Sequence, residues 1–180
     1  MTTPYTDRPL AAVTVDAATE HFWRQAKEGL LCTRRCSSCG KVDLTYSGAR
    51  FSGATAFAEA GVKPSDMKYV SIYDSFTITV LMQLEDLGFA EKGKGGKLVA
   101  DGNLIAGTGR LPFNTDGGGL CNNHPANRGG MTKVIEAVRQ LRGEPHPAVQ
   151  VKSCDLALAH GTGGSLGTRH ASATLILERG

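Results

Sequence analysis

No stretch of this sequence approaches the roughly 18 consecutive apolar residues of a membrane-spanning helix, so no membrane partner is expected. The first ten residues include Pro4, Asp7 and Arg8 and lack the apolar run of a secretory signal. Charge is not in excess either. The 20 Lys+Arg against 17 Asp+Glu leave a formal net charge of +3, which excludes a polyanion-binding tail and an acidic disordered chain. No nucleic-acid partner is expected. There is no internal repeat, and no Gly-Lys-Ser/Thr follows any glycine cluster, so a Walker or dinucleotide fingerprint is missing. Five cysteines without an export signal point to a reducing cytoplasm, with thiols or metal ligands rather than disulfides.

Glycine is the residue in surplus: 23 of 180, against an average usage of about 7%, and clustered, as close-approach loops require. Two composition regimes are visible. Residues 1–41 are charged and cysteine-bearing, whereas residues 44–180 are rich in Gly, Ala and Leu, and no Gly/Ser or Pro-rich linker lies between. In the first part Asp16 can cap a helix reaching about Glu28. In the second part the pattern predicts a helix over 48–60 stopped by Gly61, and a strand over 67–73. A helix capped by Asp74 or Ser75 and a mobile Gly/Lys loop over 92–97 follow. Met131, Val134, Ile135, Val138 and Leu141 form one apolar stripe on a helix over 128–142. Strands are predicted over 156–160 and 171–178. Alternating strands and helices imply an α/β layered fold.

Four segments carry groups suited to chemistry. Cys36-Ser37-Ser38-Cys39-Gly40 is one knuckle of a zinc ribbon, half of a four-ligand site, with Cys32, Cys121 and Cys154 at no matching spacing. Tyr73 and Asp74 stand where a strand ends and a helix begins, a place that suits a tyrosine giving or taking a proton. Gly117, Gly118 and Gly119, followed by Asn123 and His124, lead into the 128–142 helix; glycine N–H groups and an imidazole there could hold a carbonyl oxygen. His160, Gly163 and Gly164 read as a turn before the last strand, with His160 as a second polar group on the same rim. His146 and His170 read as surface residues.

The run HFWRQAKEGLLCTRRCSSCGKV resembles the start of small acyl-CoA-associated proteins built from an N-terminal helix, a zinc ribbon and an OB-fold. The second cysteine pair and the OB-fold of that family are absent here. Farther on, AEAGVKPSDMKYVSIYDSFT, FNTDGGG, NHPANRGG, VIEAVRQLRGE and LALAHGTGG occur in an order similar to the C-terminal half of the thiolase superfamily. That resemblance spans residues 44–180 and implies a mixed sheet layered with helices, behind a short helical, zinc-knuckle segment over 1–41. The thiolase Asn-Glu-Ala-Phe motif falls at Tyr73–Phe76, and the Gly-His-Pro histidine at His124, preceded by Asn123 rather than Gly. The catalytic cysteine of the thiolase glycine loop is missing, with His160 in its approximate place.

YDSFTITVLMQLEDLGF resembles the sterol-carrier-protein-type branch, and within it the thiolase-like aldolases of steroid side-chain degradation. The resemblance implies retro-aldol cleavage of a β-hydroxyacyl-CoA bearing a tertiary alcohol into a ketone and propionyl-CoA, in which no cofactor is required. Tyr73 would act as acid and base, and His124 with the glycine-loop N–H groups would hold the thioester oxygen. A second tyrosine is not placed, Tyr46 and Tyr69 being the other two in this part. The implied partners are a zinc-ribbon/OB-fold protein and a second copy of the chain. Thiolase pockets have two pseudo-symmetric halves and only one is here, so the alternative is a non-catalytic acyl-CoA-associated binding or assembly fragment. Acyltransferase activity is disfavoured.

Overall fold

The computed structural model describes residues 47–122, 129–163 and 171–180, together with Glu20, Arg24 and Glu28. The chain divides into two units, Met1–Asp43 and Leu44–Gly180. Glu20 and Arg24 are helical; the rest of the expected 16–28 helix and the Cys36/Cys39 knuckle lie outside the described residues.

The second unit begins with α1, Ala49–Ala60, whose many alanines favour helix. Gly61 ends it in the left-handed conformation (φ 68°), where the N–H groups of Gly61 and Val62 close back on the Ala58 and Phe57 carbonyls. A short 3₁₀ turn over Pro64–Asp66 leads into β1, Tyr69–Ile72, every residue of which is buried. Next come α2, Thr77–Asp86; α3, Gly95–Ala100; the single turn α4, Gly118–Cys121; and α5, Gly129–Arg142. Two strands close the chain, β2 at Leu156–Gly163 and β3 at Ala171–Glu178.

The sheet order is β1-β2-β3. β1 and β2 run parallel with Ile72 opposite His160, and β2 and β3 run antiparallel with His160 opposite Thr174. Outside β1, residues 112–114 bond along Val70: Val70 N–H donates to the Pro112 carbonyl, and Asn114 N–H to the Val70 carbonyl. Alternation sends side chains to two cores. Val70, Ile72 and Leu158 meet Phe57, Leu84 and Leu87 on one face; Tyr69, Ala157 and Ala159 meet Ala137 and Leu141 of α5 on the other.

Three sequence expectations change. The 92–97 segment is not wholly loop, because α3 starts at Gly95, whose N–H donates to Glu85 Oε1 at 2.9 Å. Burial would raise the Glu85 pKa, but the N–H groups of Gly93 and Gly95 and the Lys92 ammonium outweigh it and hold the carboxyl below its usual value. The strand expected to stop at His160 continues to Gly163, which pairs with Ala171, so His160–Gly163 is ladder and not turn. The third concerns α5. Of its apolar stripe, Val134 and Leu141 pack inward, yet Met131 and Ile135 stand 60% and 55% exposed, while Lys133, Glu136 and Gln140 are buried.

Candidate active site

The polar residues on the buried side of α5 are explained by what they cover. Past the carboxyl end of β1 the chain places Asp74, and the strand-like segment beside β1 ends in Asn114, Thr115 and Asp116. Asn114 takes positive φ (43°), and its side chain bonds both ways to Ile72: Oδ1 accepts the Ile72 N–H and Nδ2 donates to the Ile72 carbonyl, each at 2.9 Å. The amide therefore replaces a neighbouring strand where β1 would otherwise end with open backbone groups.

Lys133, fully buried, reaches down from α5 between the two carboxylates. Its Nζ lies 3.4 Å from Asp116 Oδ2 and 4.0 Å from Asp74 Oδ1. Two carboxylates on one ammonium leave negative charge over, and backbone donors answer it. Gly119 N–H donates to Asp74 Oδ1 at 2.6 Å, Leu120 N–H to Asp74 Oδ2 at 3.3 Å, and Gly118 N–H to Asp116 Oδ1 at 3.0 Å. Asp74 thus anchors the start of α4, not of α2, which begins after Phe76 without a side-chain cap.

This corrects the reading of the glycine loop. Gly117 N–H donates to the Asn114 carbonyl, so the N–H groups of Gly117, Gly118 and Gly119 are all engaged within the fold. The glycines are there for contact distance. A Cβ on Gly118 would lie 2.2 Å from Asp74 Oδ2, and Gly118 itself sits at φ 64°. A second buried network lies nearer the other end of β1. Thr115 Oγ1 donates to Glu136 Oε1 at 2.6 Å and accepts from Gln140 Nε2 at 2.8 Å, while Tyr69 Oη accepts the Thr115 N–H at 3.3 Å. Burial raises the Tyr69 phenol above its ordinary pKa, so Tyr69 stays a neutral part of this scaffold.

Tyr73 is buried at the end of β1, its ring laid on the first turn of α5. A Cβ on Gly129 would come within 2.0 Å of Tyr73 Cε2. Its N–H donates to the His160 carbonyl at 2.9 Å, but the two side chains part company there. His160 shares a face with Ile72 and Leu158, under α1, whereas Tyr73 lies on the α5 face. The structure does not bring the His160 imidazole to Tyr73. Instead Nδ1 is 2.9 Å from Thr174 Oγ1, which is 2.8 Å from Ser52 Oγ; Nε2 has no partner among the described residues. Burial pushes the His160 pKa down to about 4, with Asp86 pulling weakly the other way. Gly163 belongs to the β2–β3 ladder. Asn123, His124, Gly164, Cys36 and Cys39 lie outside the described residues. Among the described residues no three His, Cys, Asp or Glu side chains group as a metal site, and no helix is long and apolar enough to cross a membrane.

Lys133, Glu136 and Gln140 were not singled out from the sequence, and Asn114 and Thr115 stood there only as part of the FNTDGGG motif, with no role of their own. The available signal was the spacing of Lys133, Glu136 and Gln140 at i, i+3 and i+7, which reads as a solvated face unless the facing loops are known to carry carboxylates.

The second unit is an α/β domain that gathers polar groups and a wedged tyrosine past the carboxyl end of a parallel strand. Residues 33–179 match the thiolase C-terminal domain-like family, and the chain belongs to it. It is 37% identical over 128 residues to the acetyl-CoA acetyltransferase of Methanothermobacter thermautotrophicus, covering 71% of this chain and 32% of that protein. It is 47% identical over 91 residues to the steroid side-chain-cleaving aldolase of Thermomonospora curvata, covering 51% of this chain and 22% of that protein. The solved structure of the Ltp2-ChsH2(DUF35) aldolase superposes with a TM-score of 0.61 at 40% identity, over 73% of this chain and 31% of that one. The chain therefore spans about a fifth to a third of the length of these relatives.

Proposed function

We propose that this chain contributes the C-terminal half of a thiolase-like carbon–carbon lyase that cleaves a steroid-type β-hydroxyacyl-CoA to a ketone and propionyl-CoA. The observation that carries this reading is the 47% identity to a steroid side-chain-cleaving aldolase over 91 residues. Tyr73 takes the proton of the tertiary hydroxyl as tyrosinate. The C–C bond then breaks to a ketone and a thioester enolate, and the same proton is returned to the α-carbon. Its fixed ring, wedged on Gly129, supports this role. His124, carried over from the family motif, holds the thioester oxygen; the glycine-loop N–H groups, already engaged, are no longer part of that assignment. His160 supports the site from the opposite sheet face rather than touching substrate.

The reaction draws on no cofactor beyond the CoA thioester itself. A zinc ion would need ligands beyond Cys36 and Cys39. The reading includes a zinc-ribbon/OB-fold partner, a second copy of the chain and a cytoplasmic setting. The test is turnover of a CoA thioester with a tertiary β-hydroxyl, following ketone and propionyl-CoA by mass spectrometry, for the chain and for Tyr73→Phe. Product that vanishes in the Phe variant supports the assignment. No product, with or without the zinc-ribbon/OB-fold partner, would move the chain to a second reading, an acyl-CoA-associated binding or assembly fragment.

A further inference from the structure

At the opposite end of β1 from Tyr73, three segments distant in sequence bring three cations around one depression. Lys68 immediately precedes β1, Arg110 stands in the loop ahead of Pro112, and Lys152 stands four residues before β2. Together with Gly107, Gly109 and Pro112 they line a cavity of about 170 Å³, and among the described residues no carboxylate lines it. The ion pairs among the described residues use Lys92, Lys94, Lys133, Arg139 and Arg142, and none of these three. Three like charges with no counter-charge among the described residues repel one another, so the site favours an anion over the empty state.

The walls are preformed. Gly109 N–H donates to the Ile105 carbonyl at 2.7 Å, Leu111 N–H to the Asn103 carbonyl at 2.9 Å, and Val70 N–H to the Pro112 carbonyl at 3.0 Å, pinning the chain on both sides of Arg110. A side chain at Gly109 is not admitted, since its Cβ would lie 2.2 Å from the Asn103 carbonyl oxygen. Lys68 is fixed at its backbone by donating to the Leu156 carbonyl at 3.0 Å. The volume accommodates a phosphate or diphosphate group and not a whole nucleotide, and a guanidinium flanked by two ammonium groups is the donor set that such oxygens prefer.

We propose that Lys68, Arg110 and Lys152 form a phosphate-binding site at the amino-terminal edge of the β1–β2 pair, separate from the Tyr73 edge. The phosphate is either free or part of a larger molecule such as a coenzyme A, and the site does not depend on the lyase reading.

The test is calorimetric titration of the full chain with inorganic phosphate, diphosphate, adenosine 3′,5′-bisphosphate and CoA at low and at physiological salt. The expected result is one phosphate or diphosphate per chain, weakened about tenfold or more by Arg110→Glu and by Lys152→Glu and unaffected by Lys94→Glu, an equal charge change elsewhere. All these side chains are exposed, so thermal melts should match the parent. Adenosine 3′,5′-bisphosphate or CoA binding more tightly than diphosphate, with the same sensitivity to Arg110→Glu, would assign the phosphate to the coenzyme. The reverse order would assign it to a free anion. Affinity unchanged in Lys68→Ala/Arg110→Ala/Lys152→Ala, or weakened equally by Lys94→Glu, would overturn the proposal.

Discussion

Gly129 is the position where one added methyl group has the most specific consequence. Its Cβ would occupy the space of the Tyr73 ring edge, so Gly129→Ala should cost about 1–3 kcal/mol by overpacking and rotate the tyrosine out of place. Gly130→Ala is the natural control, since its Cβ would meet nothing closer than Gly161 Cα at 4.0 Å. Urea melts of the two variants should differ in midpoint with Gly130→Ala near the parent. His160 makes a prediction of a different kind. Burial holds its imidazole neutral, with the pKa down at about 4, whereas the unfolded ring titrates near 6.5. The unfolded chain therefore takes up a proton first. Stability from this residue is complete above about pH 6.5 and falls as the pH drops toward 4, by at most about 1.4 kcal/mol per pH unit. Urea melts at pH 7 and pH 5 should show this loss in the parent and a smaller one in His160→Gln.

At the scale of the element, α5 shows how much could be read in advance and where reading stopped. Its span was legible, because a glycine pair opens it and a helical apolar repeat runs through it. Its orientation was not. Hydrophobic periodicity assumes that the apolar side faces the protein, but here loops from two other segments present Asp74 and Asp116 to the helix, and a buried ammonium is the complement. The same limit applies to Asp74, which looks like a cap for the helix that follows it and instead anchors α4, forty-odd residues on. β2 runs past His160 because its pairing with β3 continues through Gly161, Thr162 and Gly163, although glycines in sequence suggest a turn. Two outcomes follow. Lys133→Met should leave the buried Asp74 and the partly buried Asp116 without their cation and lower stability by about 3–5 kcal/mol in a urea melt. Ile135→Glu, on the exposed side of the same helix, should change the isolated chain by no more than about 0.5 kcal/mol. Should the chain form dimers through that side, light scattering would show Ile135→Glu as monomer.

For the whole molecule, the fold class was legible because strands and helices alternate with clear glycine stops, and the family resemblance rested on motifs lying mainly at those junctions. What the motifs could not show was which face each side chain takes. Tyr73 and His160 sit in motifs that look like neighbours, and their backbones do bond, yet a sheet separates their side chains. The second unit, Leu44–Gly180, holds both cores. Residues 44–180 expressed alone should unfold in one cooperative transition with a midpoint close to that of the full chain.

The pairing of the three strands also sets how much chain each seam must close. β3 meets β2 as a near neighbour in sequence, so that seam brings together residues of small sequence separation. β1 meets β2 across the whole segment that carries α2 to α5, and the Tyr73–His160 backbone bond lies at the carboxyl end of that seam. Contacts of long sequence separation therefore hold the edge where Tyr73 stands, and closing that seam costs more chain entropy than closing the β2–β3 seam.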